Sequence, residues 1–260
     1  MKLGLCLHPA DLVGFVSPPC DFIEGHIQDF LLPEQPPQAF SKHLEQISIC
    51  PLAMPAANCF LPANLKVTGP AVDLERLRNY GETAFSRAKS IGLSIIVFGS
   101  AGARMVPSGW SLATGFEQYV QALVALAPIA QKYGVTIVVE PLNRVECNLV
   151  NTVDEGAEAV RRTNHPNVML LADIFHMLRN GESPDPIERN ADLIVHAHIA
   201  ENVDRAQPGV SGEDFRPYLR ALKKATKCER LTLECVWTGD KYEQAAPALA
   251  ILRKQLEAVA

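Results

Sequence analysis

Four residues of this chain, Glu140, Asp173, His198 and Glu234, end or nearly end short apolar runs: TIVVE, VMLLAD, LIVHAH and RLTLE. Together they offer three oxygen ligands and one imidazole. Such a set suits a hard or borderline divalent cation, Mn²⁺ first with Mg²⁺ or Co²⁺ as alternatives, better than thiolate-bound zinc. Each residue alone has a bland reading as a solvated or salt-bridged strand end. Four of them, each following an apolar run, point to one shared metal site.

Other residues cluster around these in sequence. His196 shares a strand face with His198 and reads as a deeper core histidine. His176 leaves the strand three residues after Asp173 and reads as a substrate contact, with a helix-capping or surface role as its bland alternative. Asn143 and Glu146 follow Glu140, and Arg205 follows His198; each fits either a pocket wall or a solvated loop. The glycine-rich FGSAGAR turn lets backbone approach a ligand closely, and Arg104 within it could serve that ligand or as easily pair with a surface acid. Glu24 reads equally as a pocket wall or a structural ion pair.

Positioning these side chains requires strands at 2–7, 21–24, 47–53, 94–98, 135–140, 168–173, 193–198 and 230–235. Helical segments are expected at 36–46, 73–91, 116–133, 152–162, 184–190, 212–224 and 241–259. Asp73 is placed to cap the second of these, and Gly92 and Gly134 to stop the second and third. Pro128 predicts a kink, because an interior proline otherwise costs ~3 kcal/mol. The stretch after the first strand, PADLVGFVSPPC, is too short and too rich in Pro and Gly for more than a stub. Residues 55–70 have no periodicity and read as a long loop.

Short, continuously apolar strands separated by helices are the pattern of a parallel sheet covered by helices. Eight such units in 260 residues predict one α/β domain over 1–260, a single (β/α)₈ TIM barrel with a shortened first helix. An open doubly wound sheet is the alternative, but no G-x-G-x-x-G follows the first strand. In a barrel the C-terminal strand ends converge on one face, so all four metal-type residues meet there. Strand alternation places Val138, Leu171 and Thr232 beneath Glu140, Asp173 and Glu234.

Composition narrows the partners. A formal net charge of −5 argues against a nucleic-acid backbone. No apolar run approaches the ~18 residues of a membrane span, and the N-terminus lacks a signal-like apolar region. Seven scattered cysteines without a C-x-x-C read as reduced thiols, so a cytoplasmic location is expected.

The motifs EPLNRVE, DIFHM, HAHIAENVDR and TLEC, with FGSAGAR and CNLVNTVDEGAEAV, resemble the sugar epimerase/isomerase family of xylose isomerase-like TIM barrels. The nearest branch is that of the D-tagatose and D-psicose 3-epimerases, with hydroxypyruvate isomerase-like relatives beside it. The resemblance covers about 94–234 and, more loosely, DFIEG near residue 21. It implies Glu140, Asp173, His198 and Glu234 as metal ligands, and Glu146, His176 and Arg205 as substrate contacts. This chain has Ile174 where the family usually has threonine, and one extra residue between His198 and Arg205. Trp110 and Phe60, in the two long loops, could cover a sugar face, with core packing an equal reading for Phe60.

The chemistry implied is metal-dependent epimerisation or isomerisation of a small ketose or related carbonyl compound. Glu140 and Glu234 would be the acid/base pair, working through a cis-enediolate. Aldose–ketose or hydroxypyruvate isomerisation and inosose dehydration are rivals on the same site. Metal-dependent phosphodiester hydrolysis, as in apurinic-site endonucleases, fits less well because it uses a histidine-richer site. A barrel that binds a sugar without turnover is the non-enzymatic alternative. The family habit also implies a homo-dimer or tetramer.

Overall fold

Runs of three to six apolar residues, too short for core helices and flanked by turns, become strands buried on both faces. The computed structural model describes residues 1–15, 17–48 and 50–259. Among them eight strands close a barrel in sequence order. They are β1 (Lys2–Cys6), β2 (Phe22–His26), β3 (Ala56–Asn58), β4 (Ile95–Phe98), β5 (Thr136–Val139), β6 (Val168–Asp173), β7 (Ile194–Ile199) and β8 (Arg230–Leu233). Every neighbouring pair is parallel, including the closing pair β1–β8.

The crossovers carry α1 (Ile27–Phe30), α2 (Pro37–Ser48), α3 (Leu74–Ser90), α4 (Ala101–Arg104) and α5 (Leu112–Tyr133) in the first half of the chain. The second half adds α6 (Val153–Thr163), α7 (Ile174–Asn180), α8 (Asp185–Arg189), α9 (Arg216–Leu222) and α10 (Lys241–Glu257). The first crossover has only a 3₁₀ turn at Pro9–Gly14, the stub expected of its Pro- and Gly-rich sequence.

The main correction concerns the third strand. Apolarity placed it at 47–53, but α2 runs to Ser48, Ile49 lies outside the described residues, and β3 is Ala56–Asn58, inside the stretch read as a loop. Three residues, AAN, carry too little local pattern to signal a strand. Their pairing with β2 and β4 makes them one. The helices α1, α4 and α7 were also unforeseen, all too short to show a period.

The local stop and start signals held where side chains or backbone supply them. Asp73 accepts from the Arg76 amide at the start of α3, and Thr152 from the Glu155 amide at the start of α6. Gly134 closes α5 with φ of 69°. That helix continues through Pro128 to Tyr133. The carbonyl that Pro128 leaves without its helical donor belongs to Val124, a residue 49% exposed.

Buried side chains divide into two groups. The larger one fills the space between strands and helices. A smaller one, Ala56, Ile95, Val97, Val138 and Leu171, is separate from it. Alternation puts Val138 and Leu171 on the same strand faces as Glu140 and Asp173, so this small group floors the barrel mouth on the β3–β6 side. On the β2, β7 and β8 side the buried residues are Glu24, His196 and Thr232, which bond to one another.

Candidate metal centre and active site

The four metal-type residues meet at the C-terminal mouth. One ligand atom from each of Glu140, Asp173, His198 and Glu234 lies within 4.8 Å of all the others. Glu140 directly follows β5, Asp173 ends β6, His198 is the penultimate residue of β7, and Glu234 directly follows β8. His198 Nδ1 faces Glu140 Oε1 at 3.1 Å and Glu234 Oε2 at 3.0 Å.

The level of His198 depends on an irregularity between β6 and β7. Leu170 pairs with Ile194, but Leu171 pairs with His196, so β7 gains one residue there. Asp173 therefore stands level with His198 instead of Ala197. Bulges beside active sites commonly re-aim a side chain in this way. On the other side of the site, Glu140 is cradled by Gly99, where an added Cβ would lie 2.0 Å from Glu140 Oε2.

Asp173 splits its two oxygens. Oδ1 accepts from the His176 amide and so caps α7. Oδ2 is buried and has no hydrogen-bond partner among the described residues. Its nearest nitrogens are His176 Nε2 at 3.5 Å, Arg205 Nη2 at 3.6 Å and His198 Nδ1 at 3.9 Å. A buried carboxylate oxygen left unpaired among other acids is costly unless a cation occupies the space. This orphaned oxygen, the cradle at Gly99 and the oxygen-rich donor set all fit a divalent metal.

Beneath the site, Glu24 is fully buried and organises the floor. It accepts from His198 Nε2 at 2.9 Å, His196 Nε2 at 2.8 Å and Thr232 Oγ1 at 2.7 Å. Holding the Nε2 proton on Glu24 turns Nδ1 of His198 toward the carboxylates. Glu24 is thus an internal anchor, and His196 is the deep core histidine expected. Asn58, from the unforeseen β3, donates to Glu234 Oε1 at 2.5 Å.

The three expected substrate contacts converge as well. Glu146, His176 and Arg205 line one cavity of about 360 Å³ together with Glu140 and Glu234. Asn143 donates through its backbone amide to His176 Nδ1 at 3.2 Å and through its side chain to Glu146 Oε1 at 2.8 Å. That leaves the Nε2 proton of His176 directed at Asp173. Arg205 donates to Glu234 Oε2 at 2.5 Å and lies over the Phe175 ring at 4.7 Å.

Other expectations are corrected. Arg104 has no surface acid: it is fully buried and donates to the carbonyls of Phe98, Glu140 and Val150, tying the ends of β4 and β5 to the following loop. Phe60 packs in the core against Tyr80, Phe85 and Phe98, as the core reading of it expected. Trp110 is 40% exposed and lines no part of the cavity.

The electrostatics drive the two site glutamates apart. Burial pushes the Glu140 carboxyl above its ordinary range, helped by the negative charges of Glu234 and Asp173. Burial also opposes ionisation of Glu234, but His198 and Arg205 outweigh it and bring that carboxyl down to about 2.

The comparisons with known proteins follow this geometry. Residues 19–255 match the family described as xylose isomerase-like TIM barrel, and the chain belongs to it. It is 29% identical over 103 residues to 3-dehydro-D-guloside 4-epimerase of Escherichia coli (strain K12), covering 39% of each chain. It is 28% identical over 155 residues to L-ribulose 3-epimerase of Methylomonas sp. (strain DH-1), covering 52% of this chain and 54% of the relative. The chain thus spans about half or less of these curated relatives. The crystal structure of D-allulose 3-epimerase from Methylomonas sp. superposes with a TM-score of 0.83 over 98% of both chains at 22% identity. No helix among the described residues is long and apolar enough to cross a membrane.

Proposed function

We propose that this protein is a divalent-metal-dependent isomerase of the ketose 3-epimerase type, acting on a small ketose or related carbonyl compound. The observation that carries the reading is the convergence of Glu140, Asp173, His198 and Glu234, with Asp173 Oδ2 unpaired, beside a cavity lined by Glu140, Glu146, His176, Arg205 and Glu234. The names of the two curated relatives support it, since both describe inversion at a carbon beside a carbonyl. That shared feature favours epimerisation over aldose–ketose isomerisation or dehydration.

The four residues would hold the metal, Mn²⁺ best by donor type, with Mg²⁺ or Co²⁺ as alternatives. When bound, the cation would act as a Lewis acid on substrate oxygens and so acidify the carbon between them. The remaining work falls to side chains. One of Glu140 and Glu234 removes the proton α to the carbonyl, and the other returns a proton from the opposite face. They come from β5 and β8, three strands apart around the barrel, which lets them approach a ligand from different sides. Negative charge developing on the enediolate oxygens is met by the Arg205 guanidinium and the Nε2–H of His176. Glu146, held by Asn143, positions a hydroxyl. A cytoplasmic, homo-oligomeric enzyme of carbohydrate metabolism is the setting this chemistry suits.

The test is solvent exchange. Protein stripped of metal and reloaded with Mn²⁺ is incubated in D₂O with ketoses, hydroxypyruvate and inosose, and the products are read by NMR after the metal is removed. Deuterium at C3 of a ketose, with the epimer appearing, is expected. It should fall by at least a hundredfold in Glu140→Gln and in Glu234→Gln. Exchange at C1 or C2 with aldose formation would replace the epimerase reading with a ketol isomerase.

A further inference from the structure

A second cavity, of about 440 Å³, adjoins the one above the metal centre. Cys59, Arg205 and Glu234 belong to the lining of both, so the two form adjacent lobes of one mouth. The outer lobe is walled by the segments that leave β1, β2 and β8. Each lobe falls within the roughly 300–1,000 Å³ that holds a whole small ligand. A substrate confined to the reacting ketose therefore leaves much of the mouth unused.

The outer lobe's chemistry narrows what would fill it. Its charged groups are already paired with one another. Lys241 meets Asp11 at 2.8 Å, and His26 meets Asp29 at 3.3 Å. Arg205, on the dividing wall, is engaged by Glu234 and Asp173. Neither Lys241 nor Arg205, the lysine and arginine of this lining, is without an acid partner. Between the ion pairs lie half-buried Trp237 and Val236, a valine 59% exposed. Apolar surface set among paired charges suits a neutral ring with C–H faces and peripheral hydroxyls, which is a sugar.

The wall is also rigid in advance of any ligand. The Val236 amide donates to the Arg205 carbonyl at 2.8 Å, and Ala206 bridges to Val236. Gln207 and Thr238 exchange hydrogen bonds at 2.9 and 3.3 Å. Asp204 and Arg205 are held at φ of 57° and 53°, a left-handed pair that non-glycine residues adopt only when surrounding contacts impose it.

We propose that the outer lobe is a subsite for a second, neutral sugar ring, so that the substrate is a glycosylated ketose in preference to a free or phosphorylated monosaccharide. This deepens the proposed function and rests on it.

Metal-loaded protein would be assayed by D₂O exchange against free ketohexoses (fructose, tagatose, psicose), against fructose carrying glucose on O4, O5 or O6 (maltulose, leucrose, isomaltulose), and against fructose 6-phosphate. At least one disaccharide is expected to exceed every free ketose and the phosphate in kcat/KM by tenfold or more, chiefly through KM. That ratio should fall about tenfold in Trp237→Ala and recover in Trp237→Phe. Val236→Trp, which fills the lobe from an exposed position without disturbing the core, should lower it as well.

Free ketoses turned over as well as every disaccharide, a preference for the phosphate, or a ratio untouched by either kind of variant would each overturn the subsite while leaving the proposed function standing. No exchange on any compound, with metal bound, would remove the proposed function and the subsite together.

Discussion

At the scale of single residues, Glu24 gathers three donors onto two oxygens with no solvent to share them. Burial works against its charge, but His198 and His196 more than compensate and hold the carboxyl below its ordinary range. Glu24→Gln presents only one acceptor oxygen, so one of those donors loses its partner and His198 loses its fixed orientation. Because such outer partners typically matter by 10–100-fold in metal affinity, Mn²⁺ affinity measured by titration calorimetry should fall by about that factor. Unchanged affinity would mean that the carboxylate ring alone orients His198. Gly99→Ala tests the opposite wall: a methyl 2.0 Å from Glu140 Oε2 must displace that carboxylate. The same titration should show Mn²⁺ binding weakened at least tenfold with the barrel still folded. The donor residues themselves were legible in the sequence because each follows its own apolar run. For Glu24 the sequence left a pocket wall and a structural ion pair equally open, since its partners His196 and His198 lie 172 and 174 residues away.

At the scale of elements, α6 and α7 meet through one half-buried carboxylate. Glu182, just past the end of α7, accepts from the first amide of α6, that of Val153, at 3.0 Å through Oε1. Its Oε2 is buried and has no partner among the described residues. Burial pushes this carboxyl up to about 7, and the charges of Asp154 and Glu155 add to the effect against the Val153 amide. A carboxyl whose folded value is raised favours the fold while protonated and loses that contribution as pH rises through the folded value. Glu182→Gln keeps the acceptor and removes the charge. It should match the parent's stability at pH 4 and exceed it at pH 8 by about 1 kcal/mol, a figure reduced for partial solvent exposure. Urea denaturation at the two pH values checks this, and equal stability at pH 8 would show that solvent reaches Oε2. The cap of α3 was readable, because Asp73 bonds the amide three residues on. The contact between α6 and α7 was not.

For the whole molecule, a metal that binds the folded barrel and not the unfolded chain adds stability by mass action. At about a hundred times its Kd the gain is ~2.7 kcal/mol. With roughly 2–4 °C per kcal/mol for a chain of this size, chelation by EDTA should lower Tm by about 5–10 °C. Calorimetry with and without Mn²⁺ measures the difference, and an unaffected Tm would argue that the buried oxygens find another counter-charge. The two-lobed mouth belongs to this scale too, since its walls come from segments that leave all eight strands.

The barrel could be read from sequence because its determinants are local: continuous apolar runs make buried strands, and periodic helices with caps and glycine stops separate them. The convergence of Glu140, Asp173, His198 and Glu234 then followed, since strand ends of a closed barrel meet on one face whatever the details. What lay beyond the sequence was the register and the side-chain partners of distant segments. Strand β3 exists because β2 and β4 pair with it, the extra residue of β7 brings His198 level with Asp173, and Arg104 is drawn inward by carbonyls at Phe98, Glu140 and Val150. Register and partner choice are set by packing across the closed sheet, where a side chain's neighbour can be more than a hundred residues away, so no local pattern records them.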